Sequence, residues 1–337
     1  MPHTFAVLGD GGWGTAIALL LARSPEHRVR LWSARPETGL VLQQHRENVL
    51  FLPGVPIPPS VELTCDVRAA VRDAELWVSA IPTVYLRATL TQIRDQLGGG
   101  PIPPIVSLTK GIEQHTFRRP SEVLAEVLAA SDVVILSGPS HAEEVSRGLP
   151  TSVVAASGDQ ELACRVQRHF STERFRVYTN LDPVGVELGG ALKNVIGVAA
   201  GICIGLGYGD NALSALVTRG LAEITRFGVA LGADAATFAG LAGLGDLITT
   251  CISKHGRNRR VGEQLGRGEK LADILKNMNM VAEGVWTARA VHDRAAAMGI
   301  DMPITAEVYR VLYEDKNPAD AVNDLMLRSP KGERWPR

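Results

Sequence analysis

Phe5-Ala6-Val7-Leu8-Gly9-Asp10-Gly11-Gly12-Trp13-Gly14 decides the fold: an apolar run of strand length gives way to a GxGxxG pattern that opens a helical stretch from about 15 to 22. The three pattern glycines have separate tasks. Gly9 permits the tight turn, Gly11 lets backbone approach a pyrophosphate, and Gly14 lets helix and strand pack closely. The helix N-terminus adds backbone N–H groups and a partial positive charge for phosphate oxygens. A glycine-rich turn alone is a weak signal. The strand before it, the helix after it and a second strand over 28–32 make it a dinucleotide-binding turn.

Outward from that turn, short apolar runs alternate with helix-length segments. Strands are predicted at 76–81, 105–108, 133–136 and 152–156, with a proline-broken loop around 53–59. Strands spaced by helices mean βαβ units and a largely parallel sheet. From Val184 the pattern changes to long helices rich in Ala, Gly and Leu. They are punctuated at Gly232-Ala-Asp, at Gly299-Ile-Asp and at Pro303, which opens a helix over 304–313. The fold class is therefore α/β. A Rossmann-type, mostly parallel sheet domain over 1–182 is expected to precede an all-helical, substrate-binding domain over 183–337.

Composition agrees with this reading. At about 150 residues per domain, 337 residues suggest two domains. A 45% apolar share supplies a core and excludes disorder as the main state. Thirty-five Lys and Arg against 36 Asp and Glu leave a net charge of −1, which argues against a nucleic-acid coat. The cysteines Cys65, Cys164, Cys203 and Cys251 form no CxxC pair, so neither a zinc site nor a disulfide framework is expected, and no metal is assigned. No signal-peptide pattern opens the chain, and a cytoplasmic enzyme is the expectation. The most apolar stretch, 195–206, falls short of the roughly 20 residues that span a bilayer and reads as a buried core helix.

Polar residues in places that packing alone does not require mark the chemistry. Lys110, in Ser107-Leu-Thr-Lys-Gly111, follows a strand at the carboxyl edge, where open α/β sheets bind ligands. Ser140, in Ser137-Gly-Pro-Ser-His, offers a hydroxyl that also suits a helix N-cap, while His141 is given no catalytic role. Lys193 sits in an apolar helix with Gly189, Gly190 and Gly197 on its own face, where burial would lower its pKa into the range of a general acid or base. Asp246, in Gly243-Leu-Gly-Asp-Leu247, is a plausible carboxylate partner for a lysine. Lys254-His-Gly-Arg-Asn-Arg-Arg260 concentrates cations that suit a small phosphorylated substrate better than a nucleic acid. The second strand ends Trp32-Ser-Ala-Arg35-Pro-Glu37, with no acid at its tip and an arginine just past it, which favours NADPH or use of both NADPH and NADH.

Taken together these segments resemble the bacterial NAD(P)-dependent glycerol-3-phosphate dehydrogenases over essentially the whole chain. The motifs are the Gly9–Gly14 turn with its tryptophan, Asn48-Val-Leu-Phe-Leu-Pro-Gly54, Thr109-Lys-Gly111, Gly138-Pro-Ser-His-Ala142 and Gly190-Ala-Leu-Lys-Asn194. Gly243-Leu-Gly-Asp-Leu247, Arg257-Asn-Arg-Arg260 and Val281-Ala-Glu-Gly284 complete the set. The resemblance implies that Lys193 carries the proton and that Lys110, Gly138, Ser140, Asp246, Arg257 and Asn258 hold the substrate. It implies cofactor contacts at Gly12, Trp13, Lys110, Ala142, Arg257, Val281 and Glu283. Gly256 stands where many members of that family carry a hydroxyl, and Ala34 where they often have the arginine found here at 35.

The expected reaction is reversible reduction of dihydroxyacetone phosphate to sn-glycerol 3-phosphate, with a role in phospholipid synthesis implied by the resemblance. The expected partner is a phosphorylated small molecule, with no nucleic acid and no membrane span, and a homodimer is left open. Rival readings are another two-domain hydroxy-acid or hydroxyacyl dehydrogenase, and a non-catalytic NADPH-binding sensor.

Overall fold

In the computed structural model, which describes residues 2–278, 280–330 and 332–333, strands alternate with helices up to Asn180 and the chain is helical from Pro183. The first unit opens with β1 (His3–Leu8), α1 (Gly12–Leu21), β2 (His27–Trp32) and α2 (Pro36–His45). A small hairpin, β3 (Glu47–Asn48) and β4 (Leu52–Pro56), leads to β5 (Val61–Thr64), α3 (Val67–Val71), β6 (Leu76–Ser79) and α4 (Thr83–Leu97). Then come β7 (Ile105–Ser107), α5 (Pro120–Leu128), β8 (Val133–Ser137), α6 (Ala142–Ser146), β9 (Thr151–Ala156), α7 (Gln160–Phe170) and β10 (Phe175–Asn180).

The sheet order is β10-β9-β8-β7-β6-β1-β2-β5. Neighbouring strands are parallel except β8 and β9. From β1 the strands run out to β2 and β5 on one side and to β6, β7 and β8 on the other. The turn after β1 therefore lies where the strand order reverses, the place at which such sheets bind ligands. Phe5 and Val7 join the core on one face of the sheet, and Ala6 and Leu8 the core on the other. That two-sided burial explains why β1 reads as an unbroken apolar run.

The second unit is built on α8 (Pro183–Gly205), followed by α9 (Asp210–Ala230) and α10 (Ala235–Phe238). A π-helical turn over Leu241–Gly245 leads into α11 (Asp246–Ile252), α12 (Arg257–Gly266) and α13 (Leu271–Lys276). It ends with α14 (Glu283–Met298), α15 (Pro303–Tyr313) and α16 (Pro318–Met326). α8 and α12 touch backbone to backbone, since a Cβ at Gly201 would lie 2.0 Å from the Arg259 carbonyl oxygen and one at Gly262 1.9 Å from that of Val198. This close approach brings Lys193 and Asn194 alongside the start of α12.

Several expectations need correction. The helix after the glycine turn begins at Gly12, because glycines hide its first turn from any apolar periodicity. Within the presumed loop at 53–59 the chain forms part of β4, paired with β3. β5 and β10 were not expected; both are edge strands with one face partly open to solvent, so neither shows a continuous apolar run. The apolar stretch 195–206 belongs to a 23-residue helix, α8. By length and composition α8 and the run 235–252 both suffice to cross a membrane, but 89% of α8's apolar window is buried inside the protein. Its apolarity is that of a central core helix.

Candidate active site

A cleft between the sheet edge and the helical unit is lined by Gly11, Gly12, Trp13, Lys110, Ser140 and Lys193, and by Arg257 and Glu283 opposite. Each reaches it from an element end or from α8. Gly12 opens α1, Lys110 lies just beyond β7, Ser140 follows β8, and Asp246, Arg257 and Glu283 open α11, α12 and α14. Element ends carry backbone groups without intrahelical partners, so polar groups converge on the cleft although its supports are apolar.

At its floor are two lysines and one carboxylate. Lys193 Nζ donates to Asp246 Oδ1 at 2.5 Å and to Thr250 Oγ1 at 2.7 Å. Lys110 Nζ donates to the other oxygen, Asp246 Oδ2, at 2.9 Å, to the Gly138 carbonyl at 2.8 Å and to Ser140 Oγ at 3.2 Å. Asp246 is 1% exposed and Lys193 7%. Burial pushes the Lys193 ammonium down to about 8, with Lys110 adding to the fall and Asp246 opposing it. Burial also disfavours the Asp246 carboxylate, but Lys110 and Lys193 overcome that and hold it below the usual range. A buried lysine that titrates near neutrality on a fixed carboxylate is equipped to give and take a proton.

The helix ends around this pair are locked. Asn194 Nδ2 donates to the Lys110 carbonyl at 3.0 Å, Asn258 Nδ2 to Asn194 Oδ1 at 2.9 Å, and the Gly284 N–H to Asn258 Oδ1 at 2.9 Å. Arg257 is exposed on the rim and its guanidinium makes no hydrogen bond among the described residues, which leaves its fork free for an anion. Glu283 Oε1 accepts the Thr83 N–H at 2.8 Å, joining α14 to the start of α4. Burial raises this carboxyl to about 7.

The glycine turn fits a dinucleotide. Gly9 has φ of +117°, and a Cβ at Gly14 would lie 2.0 Å from the Gly9 carbonyl oxygen, so strand and helix meet as closely as expected. A Cβ at Gly11 would meet nothing within 4 Å: this side of the turn is open. Trp13 Nε1 and His141 Nε2 are buried in the cleft wall without a hydrogen-bond partner among the described residues, as suits a site that awaits a polar ligand. Asn48 braces the turn through the Asp10 carbonyl at 2.7 Å and Thr15 Oγ1 at 2.8 Å.

Of the residues singled out from the sequence, Lys110, Ser140, Lys193, Asp246, Gly256, Arg257 and Asn258 gather around the cleft floor and rim, and the Gly138 carbonyl anchors Lys110. Gly12, Trp13, Ala142, Val281 and Glu283 line the adjoining wall. Ala34 and Arg35 lie elsewhere, exposed beyond the tip of β2. Ser140 is not an N-cap: His141 holds that position for α6, and Ser140 Oγ donates to the Gly138 carbonyl instead. The glycines on α8 do not leave space for Lys193. A Cβ at Gly190 would lie 2.6 Å from Ser137 Oγ and one at Gly197 2.6 Å from Thr250 Cγ2, so they admit the neighbours that surround it. Sequence reasoning gave no role to Thr250 or Asn194, nor to Phe51, which also lines the cleft. Their signal was confined to the helix spacing Asp246 to Thr250 and to the quoted motifs that contain Asn194 and Phe51.

Residues 4–163 match the family model described as NAD-dependent glycerol-3-phosphate dehydrogenase N-terminus, and residues 182–323 the model for its C-terminus. A relative from Chlorobium limicola named as a glycerol-3-phosphate dehydrogenase using NAD(P)+ is 51% identical over 97% of this chain and 98% of its own. One of the same name from Salinibacter ruber is 48% identical over 99% and 97%. The crystal structure of glycerol-3-phosphate dehydrogenase from Coxiella burnetii superposes with a TM-score of 0.92 at 37% identity, covering 97% of this chain and 99% of that one.

Proposed function

The chain belongs to the NAD-dependent glycerol-3-phosphate dehydrogenase family, and on that premise we propose that it reduces dihydroxyacetone phosphate reversibly to sn-glycerol 3-phosphate with NADPH or NADH. The observation that carries this reading is Lys193 Nζ held on Asp246 beside Lys110, with the Arg257 fork on the rim of the same cleft. When bound, the reduced nicotinamide supplies the hydride that C2 of the ketone receives. Lys193 gives its proton to the C2 oxygen, so a carbonyl becomes a secondary alcohol, and it takes the proton back in the reverse direction. Asp246 keeps the ammonium oriented, and Lys110, held by Asp246, Gly138 and Ser140, adds a fixed positive charge beside the substrate's oxygens. Arg257 and Asn258 hold the phosphate, so binding energy remote from C2 places the reacting carbon.

The proposal extends to the whole chain. Residues 1–182 form the cofactor-binding unit, with Gly9, Gly11, Gly12, Trp13 and Gly14 at the pyrophosphate. Residues 183–337 form the substrate-binding unit. Its place is cytoplasmic, and its product is a phosphorylated polyol of the kind that phospholipid synthesis consumes. The Arg257 rim favours a phosphorylated ketone over a hydroxy acid, and the buried Lys193 pair has no use in a cofactor sensor.

Initial rates with both reduced cofactors at matched ionic strength test the reading. Dihydroxyacetone phosphate is expected to be reduced and simple 2-oxo acids are not. NADPH is expected to serve at least as well as NADH, because no acid stands at the β2 tip and Arg35 lies exposed beside it. Arg35→Ala should lower kcat/KM with NADPH and leave NADH nearly untouched. A tenfold or greater wild-type preference for NADH, with Arg35→Ala silent, would defeat the cofactor part; roughly, tenfold is 1.4 kcal/mol.

A further inference from the structure

Away from the cleft floor, α8 makes a second buried contact with the sheet unit. The Glu187 side chain has no solvent exposure and accepts three hydrogen bonds from the start of α5: Arg119 Nη1 at 2.8 Å, the Ser121 N–H at 2.8 Å and Ser121 Oγ at 2.7 Å. Its carboxylate thus caps a helix of the other unit, where the helix dipole favours negative charge.

Glu187, Gly190 and Asn194 are spaced i, i+3 and i+7, so they share one face of α8, with about 10 Å between the first and last. That face grips one segment of chain at both ends. Asn194 holds the carbonyl of Lys110 and Glu187 holds Arg119 and Ser121. A Cβ at Gly190, between them, would lie 2.6 Å from Ser137 Oγ and 3.5 Å from Lys110 Cγ, so the lysine stem passes directly over the helix. Between the two grips, Ile112 belongs to the helical unit's core and Phe117 packs edge-on to Phe227 at 5.8 Å. The loop of the sheet unit that carries Lys110 is embedded in the helical unit and pinned there by Glu187.

We propose that Glu187 is a positioning residue for the reaction: by pinning the start of α5 on α8 it fixes the far end of the Lys110 loop and keeps Lys110 on Asp246, beside Lys193. The inference rests on the function proposed above. Loosening the pin lets Lys110 draw back from Asp246. The Cys251 thiol and His141, which also face Lys193, are untouched by the pin; Lys193 loses a neighbouring cation while its carboxylate partner is freed for it alone, so it holds its proton to higher pH.

The test uses Glu187→Gln, which keeps the shape and an acceptor for Ser121 but removes the charge facing Arg119, and Ser121→Ala, which removes one hydroxyl. In Glu187→Gln kcat for dihydroxyacetone phosphate should fall by roughly tenfold or more, and the high-pH limb of the kcat profile should move upward. KM for NADPH should change by a smaller factor than kcat, because Lys110 is one cofactor contact among several and the glycine turn does not touch the pin. Ser121→Ala should shift the same quantities in the same direction by less. If both variants lose thermal stability yet keep wild-type kcat and the wild-type limb, Glu187 is structural only and the inference fails. If Glu187→Gln does not fold, Ser121→Ala decides on the same readouts. A wild type that does not reduce dihydroxyacetone phosphate would remove the reaction itself, an outcome visible before any variant is made.

Discussion

Lys193→Ala is expected to lower kcat by at least about 100-fold, the low end of what a positioned general acid contributes, while NADPH binding is retained. The variant should fold. Removing one member of a buried ion pair commonly costs about 3–5 kcal/mol because the other is left alone. Here Asp246 keeps Lys110 at 2.9 Å, and the charge stays paired. Thr250 loses a donor, but its hydroxyl can turn to water admitted by the truncation. The loss should therefore fall on the chemical step and not on assembly of the cleft. Cofactor fluorescence titration separates the two: wild-type affinity for NADPH with turnover near the detection limit is the expected pair of results. Near-normal turnover in a folded variant would take Lys193 out of the mechanism.

Arg257→Ala should act on the substrate and spare the fold. The guanidinium makes no hydrogen bond among the described residues, so its removal breaks none there; it reaches Glu283 and Glu143 only through charge. Where the complex desolvates its pairing with a phosphate dianion, losing that fork should cost about 2–4 kcal/mol in kcat/KM. The diagnostic is a comparison with unphosphorylated dihydroxyacetone. Wild type should prefer the phosphorylated ketone strongly, and Arg257→Ala should lose most of that preference while its rate with the unphosphorylated ketone barely changes. An unchanged preference would move the phosphate to another part of the cleft.

The sequence carried the sheet and its turn because β1, β6, β7 and β8 are buried on both faces and read as apolar runs. It hid β5 and β10, which sit at the two sheet edges and are only partly buried, so neither shows a continuous apolar run. Lys193 stood out because a charge in an apolar helix is costly without a use, and Asp246 because a carboxylate among small residues needs a partner. What pairing does with them could not be read. Lys110 and Asp246 are 136 residues apart, and whether they touch depends on how two units dock. For the same reason the glycines of α8 suggested room for Lys193, when their neighbours, Ser137 and Thr250, come from other elements. The Glu187 pin is equally silent in sequence. A lone glutamate at the start of an apolar helix looks like a helix-end charge until Arg119 and Ser121 are brought to it.

The rate of NADPH oxidation at saturating dihydroxyacetone phosphate, followed from about pH 6 to about pH 10, bears on Lys193 and on the reaction together. Lys193 must be protonated to serve as acid, and its ammonium is held at about 8. Turnover should be level at low pH, bend near that value and then fall about tenfold per pH unit, because the neutral amine has no proton to give. A rate that stays level through about pH 10, or no oxidation with this ketone at any pH, would contradict Lys193 as the proton donor in the first case and the reaction itself in the second.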